Sequence, residues 1–308
     1  MIRVRMVAHF PNAAFALALL LVPLSALLAS APATAATSRF HDLKGSPEVH
    51  SASALVLDAA GNVIYGKDVD TVRPIASITK LMTAMVVLDA GLDLDEKISV
   101  TQDDRDRWRA TGSRLAYGAT LTRREMLLLA LVSSENRAAA ALGRNYPGGT
   151  KAFVRQMNAK AAELGMSHSR FADAAGLRSE NQSTARDLGR MISAAQEYDL
   201  IHEASTTRQL QVRPFRDRGP LTYVNTNRLL KNESWDIALS KTGYINEAGR
   251  CLVMQTQLAG RQLIMVLLDS AGRYSRIGDA ERIRQWLAAQ SLASVLPSVE
   301  QVRTLQPL

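Results

Sequence analysis

The segments with strand character lie at the two ends of this 308-residue chain, and the segments with helical character lie between them. Near the start, SALVLDAAGNVIYGKD reads as two short strands around a Gly61-Asn62 turn. Near the end, ALSKTGYI, GRCLVMQTQLAG and RQLIMVLLDS are three strand candidates, the last two joined at Ala259-Gly260. A chain that must bury strands from both ends around central helices has few solutions. The simplest is an α+β fold: one antiparallel sheet built from both strand groups, flanked by helices, with an inserted, mostly helical subdomain.

The helices announce themselves by spacing and caps. In SITKLMTAMVVLDAG, Ile78, Leu81, Met82, Met85 and Val86 recur at helical intervals, and Gly91 follows the end. That nearly continuous apolar face predicts a central helix. In LTRREMLLLALVSSENRAAAALG, Thr122 and Glu125 have the spacing of a capping box, the apolar run stops at Ser133-Ser134, and an alanine-rich helix resumes after Asn136. Thr150 is positioned to cap KAFVRQMNAKAAELGM, and Thr184 with Asp187 opens STARDLGRMISAAQEY. SRIGDAERIRQWLAAQ is the last recognisable element.

The first 35 residues stand apart from this pattern. MIRVRMVAHF carries Arg3 and Arg5 and no acid, FALALLLVPLSALLA is a short apolar run interrupted by Pro23, and Ala33 and Ala35 give an A-x-A cleavage pattern. Together these predict a secretory signal peptide over 1–35. A mature N-terminal segment over 36–44, one folded domain over 45–290 and a short tail over 291–308 then follow. The apolar run is too short and too broken to make a spanning anchor, so no transmembrane anchor is expected after cleavage. Cys251 is the only cysteine, so no internal disulfide supports the exported fold. The formal net charge of +8 comes without long basic runs and with only 5% aromatics. That suits polyanionic surroundings but is not the footprint of a nucleic-acid binder. No H-E-x-x-H and no Cys/His cluster is present, so neither a metal nor a cofactor is expected.

Three short motifs carry possible chemistry. Ser77 and Lys80 are three residues apart at a helix start, with Cβ atoms about 5–6 Å apart. A lysine amine can therefore reach the serine hydroxyl. It can act as a base only when neutral, which requires burial or a nearby cation to lower its ordinary pKa of about 10.4. The plain alternative is a capping serine and a solvated lysine. Ser134 and Asn136 sit at the junction between two helices, where a hydroxyl and an amide can face one cavity. The same letters, S-E-N, recur at Ser179–Asn181, so the tripeptide alone does not choose between them. Lys241, Thr242 and Gly243 lie on a strand candidate. Lys241 would supply a positive charge able to hold a carboxylate and to lower the pKa of Lys80. Gly243 would let a ligand approach the backbone. No G-x-S-x-G elbow or suitably placed histidine competes for the nucleophile's role.

The ordered set S-x-x-K, S-x-N, K-T-G is the signature of class A β-lactamases and penicillin-binding proteins. Over roughly residues 45–290 the chain resembles the low-molecular-mass penicillin-binding proteins, serine D-alanyl-D-alanine peptidases of the cell wall. PIASITKLMTAMVVLDA, SSENRAAAAL, YPGG, STARDLG and KTGYINEAGRCLVM are most similar to the D,D-endopeptidase branch, the penicillin-binding protein 7 type. These longer matches place Ser134 and Asn136, not Ser179–Asn181, in the motif.

The resemblance implies a β-lactamase/D,D-peptidase-like fold and a role for each residue. Ser77 would be the acylated nucleophile and Lys80 its general base. Ser134 would relay the proton to the departing amine, and Asn136 would bind the substrate amide and steady Lys80. Lys241 and Thr242, beside Gly243, would hold the substrate carboxylate. The backbone N–H groups of Ser77 and Tyr244 would form the oxyanion hole. The implied partners are peptidoglycan peptide cross-links, with β-lactams as covalent inhibitors, in a periplasmic enzyme of cell-wall remodelling and cell shape. One departure is the S-E-N of the middle motif; Glu135 points away from the pair in a regular turn and receives no role. Little chain follows Trp286, whereas the membrane-attached carboxypeptidases of this family carry a further β-domain and an anchor helix. Three rivals remain: a D-alanyl-D-alanine carboxypeptidase, a class A β-lactamase, and a wall-binding or β-lactam-sensing module without turnover. The β-lactamase would need a carboxylate that drives deacylation, and nothing in the sequence fixes one. The motifs alone do not separate endopeptidase from carboxypeptidase.

Overall fold

A computed structural model describes residues 43–258 and 260–293 of the chain. The expected leader over 1–35 lies outside the described residues, as do most of 36–44 and of the 291–308 tail.

The two strand groups do form one antiparallel sheet. Its strands are β1 (Ser53–Asp58), β2 (Val63–Lys67), β3 (Asp236–Ile245), β4 (Gly249–Leu258) and β5 (Arg261–Ser270), in the order β2-β1-β5-β4-β3. The seam between the chain's two ends is the pairing of β1 with β5, Ser53 opposite Leu268 and Asp58 opposite Leu263. Alternation sorts each strand's side chains onto two faces. Ile264, Val266 and Leu268 of β5 join Leu55 and Leu57 of β1 in the larger core. Leu263, Met265 and Leu267 join Ala54 and Val56 in a second core, closed by Ile283 and Leu287 of α7 (Ser275–Ala293). With both faces covered, β5 reads as the unbroken apolar run LIMVLL rather than as an alternation.

The helices of the larger face are α1 (Thr79–Asp89), α2 (Arg123–Val132), α3 (Asn136–Arg144), α4 (Gly149–Glu163), α5 (Ala185–Ala195) and α6 (Asp199–Thr206). Every residue of α1 from Thr79 to Val87 is buried, so this helix is central on all its sides, as its apolar sequence demands. The capping box is formed: Glu125 N donates to Thr122 Oγ1 (3.1 Å) and Thr122 N to Glu125 Oε2 (2.8 Å). Thr184 likewise caps α5 by accepting from Asp187 N. Thr150 does not cap α4; Gly148 occupies the cap position and Thr150 lies in the first turn. A small hairpin of Gln209–Val212 with Leu221–Val224, unread in the sequence, precedes β3. Among the described residues no helix is long and apolar enough to cross a membrane.

Candidate active site

Four pieces of chain converge on the N-terminus of α1. Ser77 lies in a 3-10 turn, Ala76–Ile78, that runs directly into α1 and turns Lys80 back towards it. Lys80 Nζ donates to Ser77 Oγ at 2.9 Å, to Asn136 Oδ1 at 2.8 Å and to the Ala175 carbonyl oxygen at 2.6 Å. Ser134 and Asn136 come from the α2–α3 junction. Ser134 adopts φ 60°, a left-handed conformation costing a residue with a Cβ about 1–2 kcal/mol, and Ala76 before Ser77 does the same at φ 47°. Both turns that aim the serines thus carry backbone strain. From β3, Lys241 Nζ donates to Ser134 Oγ at 3.0 Å and to the Thr242 carbonyl oxygen at 2.9 Å. Thr242 Oγ1 donates to Thr226 Oγ1 at 2.7 Å.

The structure thus places these residues as two hydrogen-bonded groups, Ser77–Lys80–Asn136 and Ser134–Lys241–Thr242, with both lysine side chains buried and the two serines and Asn136 partly open. β3 is the edge of its sheet, so its outer side faces this cleft without a strand partner in the sheet. Gly243 packs against the Ser77 turn: a Cβ there would lie 2.9 Å from the Ile75 carbonyl oxygen and 3.1 Å from Ser77 N. Its small size therefore serves the close approach of β3 to Ser77. Tyr244, next along β3, is exposed.

Burial lowers the Lys80 pKa to about 8, against an upward pull from the carboxylates of Asp173, Glu135 and Asp106. Burial, not a neighbouring cation, is the leading cause at Lys80, whereas the sequence reading put weight on the charge of Lys241. Lys241 is itself pushed well below its usual range, first by burial and then by the charges of Lys80 and Arg276. An amine that is part neutral near pH 7 and 2.9 Å from a hydroxyl can take its proton.

The sequence reading missed the layer that holds this network. Asn181, of the second S-E-N, is fully buried: its Oδ1 accepts from Ala172 N (2.9 Å) and its Nδ2 donates to Asp173 Oδ2 (2.7 Å). Asp173 in turn accepts from the backbone N–H groups of Ala175, Gly176, Leu177 and Arg178. The repeated tripeptide therefore builds the loop whose Ala175 carbonyl holds Lys80. Thr111 Oγ1 accepts from Asn136 Nδ2 at 3.0 Å, and Asp106 holds Thr111 through its backbone N–H and hydroxyl. Glu135 also has a place: it caps α3 by accepting from Arg137 N (3.0 Å) and takes the Ser113 hydroxyl at 2.7 Å. Capping spacing could have shown Glu135; nothing in the letters marks Thr111. Among the described residues no cluster of three or more His, Cys, Asp or Glu side chains is placed to hold a metal ion.

The family model described as D-alanyl-D-alanine carboxypeptidase matches residues 41–272, three-quarters of the chain. The chain belongs to this family of serine peptidases. It is 47% identical over 260 residues to the D-alanyl-D-alanine endopeptidase of Pseudomonas aeruginosa, covering 84% of each chain. It is 46% identical over 274 residues to the D-alanyl-D-alanine endopeptidase of Escherichia coli, covering 89% of this chain and 87% of that one. The crystal structure of the Streptomyces K15 DD-transpeptidase matches with a TM-score of 0.74 at 29% identity, covering 80% of this chain and all of that one. The mixed fold with an antiparallel sheet is the one these peptidases share.

Proposed function

We propose that the protein is a periplasmic serine D,D-endopeptidase that hydrolyses D-alanyl–diaminopimelate cross-links of peptidoglycan. The observation that carries this reading is the buried Lys80 amine, lowered to about pKa 8 and 2.9 Å from the Ser77 hydroxyl. Neutral Lys80 takes the Ser77 proton as Oγ attacks the carbonyl of the D-alanine on the donor side of the bond. The backbone N–H groups of Ser77 and Tyr244 receive the oxyanion. As the C–N bond breaks, the proton passes from Lys80 through Ser134 to the departing amine, leaving an acyl-enzyme on Ser77. Water then attacks the ester, Lys80 takes the water's proton, and Ser77 Oγ recovers it as the ester bond breaks. Asn136 holds Lys80 and the substrate amide. Lys241 and Thr242 receive the carboxylate beside the scissile bond, and the open edge of β3 receives the peptide backbone as an added strand.

A β-lactam enters as the mimic of a D-alanyl-D-alanine end and stops at the acyl-enzyme. The carboxylates nearest Lys80 are already engaged: Asp173 by four backbone N–H groups, Asp106 by Thr111, Glu135 by Ser113 and Arg137. Each is tied into the loops that hold the site, which favours the peptidase reading over a β-lactamase, where a carboxylate must hold the deacylating water. We read 1–35 as a cleaved leader and 45–290 as the peptidase domain. The family description favours one second reading, a D-alanyl-D-alanine carboxypeptidase, which differs only in what leaves.

The test is mass spectrometry of muropeptides incubated with the mature protein, with Ser77→Ala as control. Conversion of cross-linked dimers to monomers by the wild type alone is expected. Loss of a terminal D-alanine with dimers intact would replace this reading with the carboxypeptidase, and survival of both substrates would remove the peptidase reading.

A further inference from the structure

Beside the C-terminal end of the Lys241–Gly243 stretch lies a pocket of about 450 Å³ that the mechanism above does not use. Its charged lining consists of Arg228, Lys231, Arg250, Arg273 and Arg276, with no acidic residue. Elsewhere in the molecule arginines are commonly paired, as Arg144 is with Asp104, Arg186 with Asp70 and Arg284 with Glu281. Among the described residues none of the five pocket cations forms an ion pair. Three of them lie against rings instead: Arg228 and Arg273 against Tyr274, at 5.4 and 5.5 Å, and Arg250 over Tyr244 at 4.4 Å. Stacking of this kind fixes a guanidinium while leaving its edge able to donate. The Nε of Arg276 is buried without a hydrogen-bond partner. Burial and then the charges of Arg250 and Arg228 lower the pKa of Arg276. Five cations with no acid among them give the pocket a positive field that draws an anion.

Two contacts tie the pocket to the reacting edge. Thr226 in its wall bonds to Thr242, and Arg276 Nη1 donates to the Gly243 carbonyl oxygen at 3.3 Å. A substrate whose carboxylate rests at Lys241–Thr242 therefore directs its leaving side into the basic pocket. For a carboxypeptidase that leaving side is a single D-alanine, with one carboxylate and no need of such a volume. A cavity in the range of about 300–1,000 Å³ accepts a short peptide or a drug-sized ligand. The leaving half of a cross-link is such a peptide, and it carries free carboxylates beyond the one beside the scissile bond.

We propose that this pocket binds the leaving half of a cross-link, an acidic stem peptide, through Arg228, Lys231 and Arg273. The pocket then selects cross-linked over uncrosslinked substrate. The proposal rests on the peptidase reading given above, and its test separates the two. Steady-state cleavage of purified muropeptide dimers and monomeric pentapeptides is measured for the wild type and for Arg228→Gln/Lys231→Gln, with thermal melting to check the fold. The ratio of kcat/KM for dimers to that for pentapeptides is expected to fall at least about tenfold in the variant, mainly through KM. A wild type that cleaves dimers, with a variant whose ratio is unchanged, overturns the pocket while leaving the peptidase reading intact. A wild type inert towards both substrates overturns the peptidase reading itself. Should the variant melt at assay temperature, salt titration of the wild type decides: KM for dimers is expected to rise more steeply with ionic strength than KM for pentapeptides. Parallel salt curves overturn the proposal.

Discussion

Replacing Gly176 by alanine tests how rigidly the loop opposite Ser77 is set. Gly176 has φ +77°, and an added Cβ would lie 2.0 Å from the Ala76 carbonyl oxygen and 2.5 Å from its carbon. Ordinary contact begins near 3.4 Å, so one of the two backbones must retreat by about 1.4 Å. The left-handed conformation adds about 1–2 kcal/mol for any residue with a Cβ. Both backbones belong to the site. Ala76 precedes Ser77, and Gly176 follows Ala175, whose carbonyl holds Lys80 Nζ at 2.6 Å. A displacement of about 1 Å near a reacting group costs on the order of 100-fold in rate. The assay is the second-order rate constant for acylation by a fluorescent penicillin, alongside thermal melting. Gly176→Ala is expected to lose about 100-fold or more in acylation while remaining folded at 20 °C, with a melting temperature lowered by about 5–10 °C. Gly61→Ala is the control: Gly61 has φ +84° with nothing within 4 Å, so it suffers the conformational cost alone. Acylation of Gly176→Ala within threefold of wild type, or no slower than that of Gly61→Ala, would refute the reasoning.

Acylation should climb about tenfold per pH unit below pH 7 and level off above about pH 9, because the Lys80 pKa is lowered to about 8 and only the neutral amine takes the Ser77 proton. A profile still rising past pH 10 would return Lys80 to an ordinary solvated lysine. The two S-E-N asparagines should separate cleanly. Asn136→Ala is expected to lower acylation at least tenfold with a small change in melting temperature. Asn181→Ala, which strips the Asp173 loop of a fully buried partner, is expected to cost about 2–3 kcal/mol of stability in chemical denaturation. Similar stability losses for both would mean that the repeat has no division of labour. Cys251 is buried, donates to the Ala248 carbonyl oxygen at 3.4 Å and has its thiol pushed up to about 11. A maleimide at pH 7 should therefore label it only after unfolding; rapid native labelling, read by mass spectrometry, would contradict its burial.

Much of this was legible in the letters because the cues are local. The Thr122–Glu125 box, the Gly61-Asn62 turn and the period of α1 each act within a few residues, so spacing alone reveals them. The pairing of strands from the two chain ends was legible for a different reason: apolar runs with no neighbour to pair with must find each other. The supporting layer of the site was not legible, because its partners meet only in three dimensions. Asn181 looks like its namesake at Asn136 until Asp173 is seen beside it. Thr111 comes from a polar stretch with no period, and its hydroxyl matters only because the loop brings it to Asn136. Thr150 was misread for a simpler reason: α4 starts two residues early, at Gly149, with Gly148 as its cap. The weight of burial at Lys80 was not legible, because sequence spacing shows which groups are near but not how deeply they are buried, and burial is the leading cause at both lysines.

The seam between β1 and β5 also sets an order of events in time. Its paired residues are about 200 positions apart in the chain, so closing it carries a loop-closure cost far above that of any hairpin in the molecule. The hairpins of β1 with β2 and of β4 with β5 can form early, but the sheet joins only once residues near 270 are available. Lys241 rides on β3, which is held to the rest of the sheet solely through β4. Ser77, which follows β2, and Lys241 on β3 are thus joined through the sheet only by way of the β1–β5 seam. A chain that does not yet include β5 has no strand to join its two ends, and β1 and β3 lie on opposite sides of that missing strand.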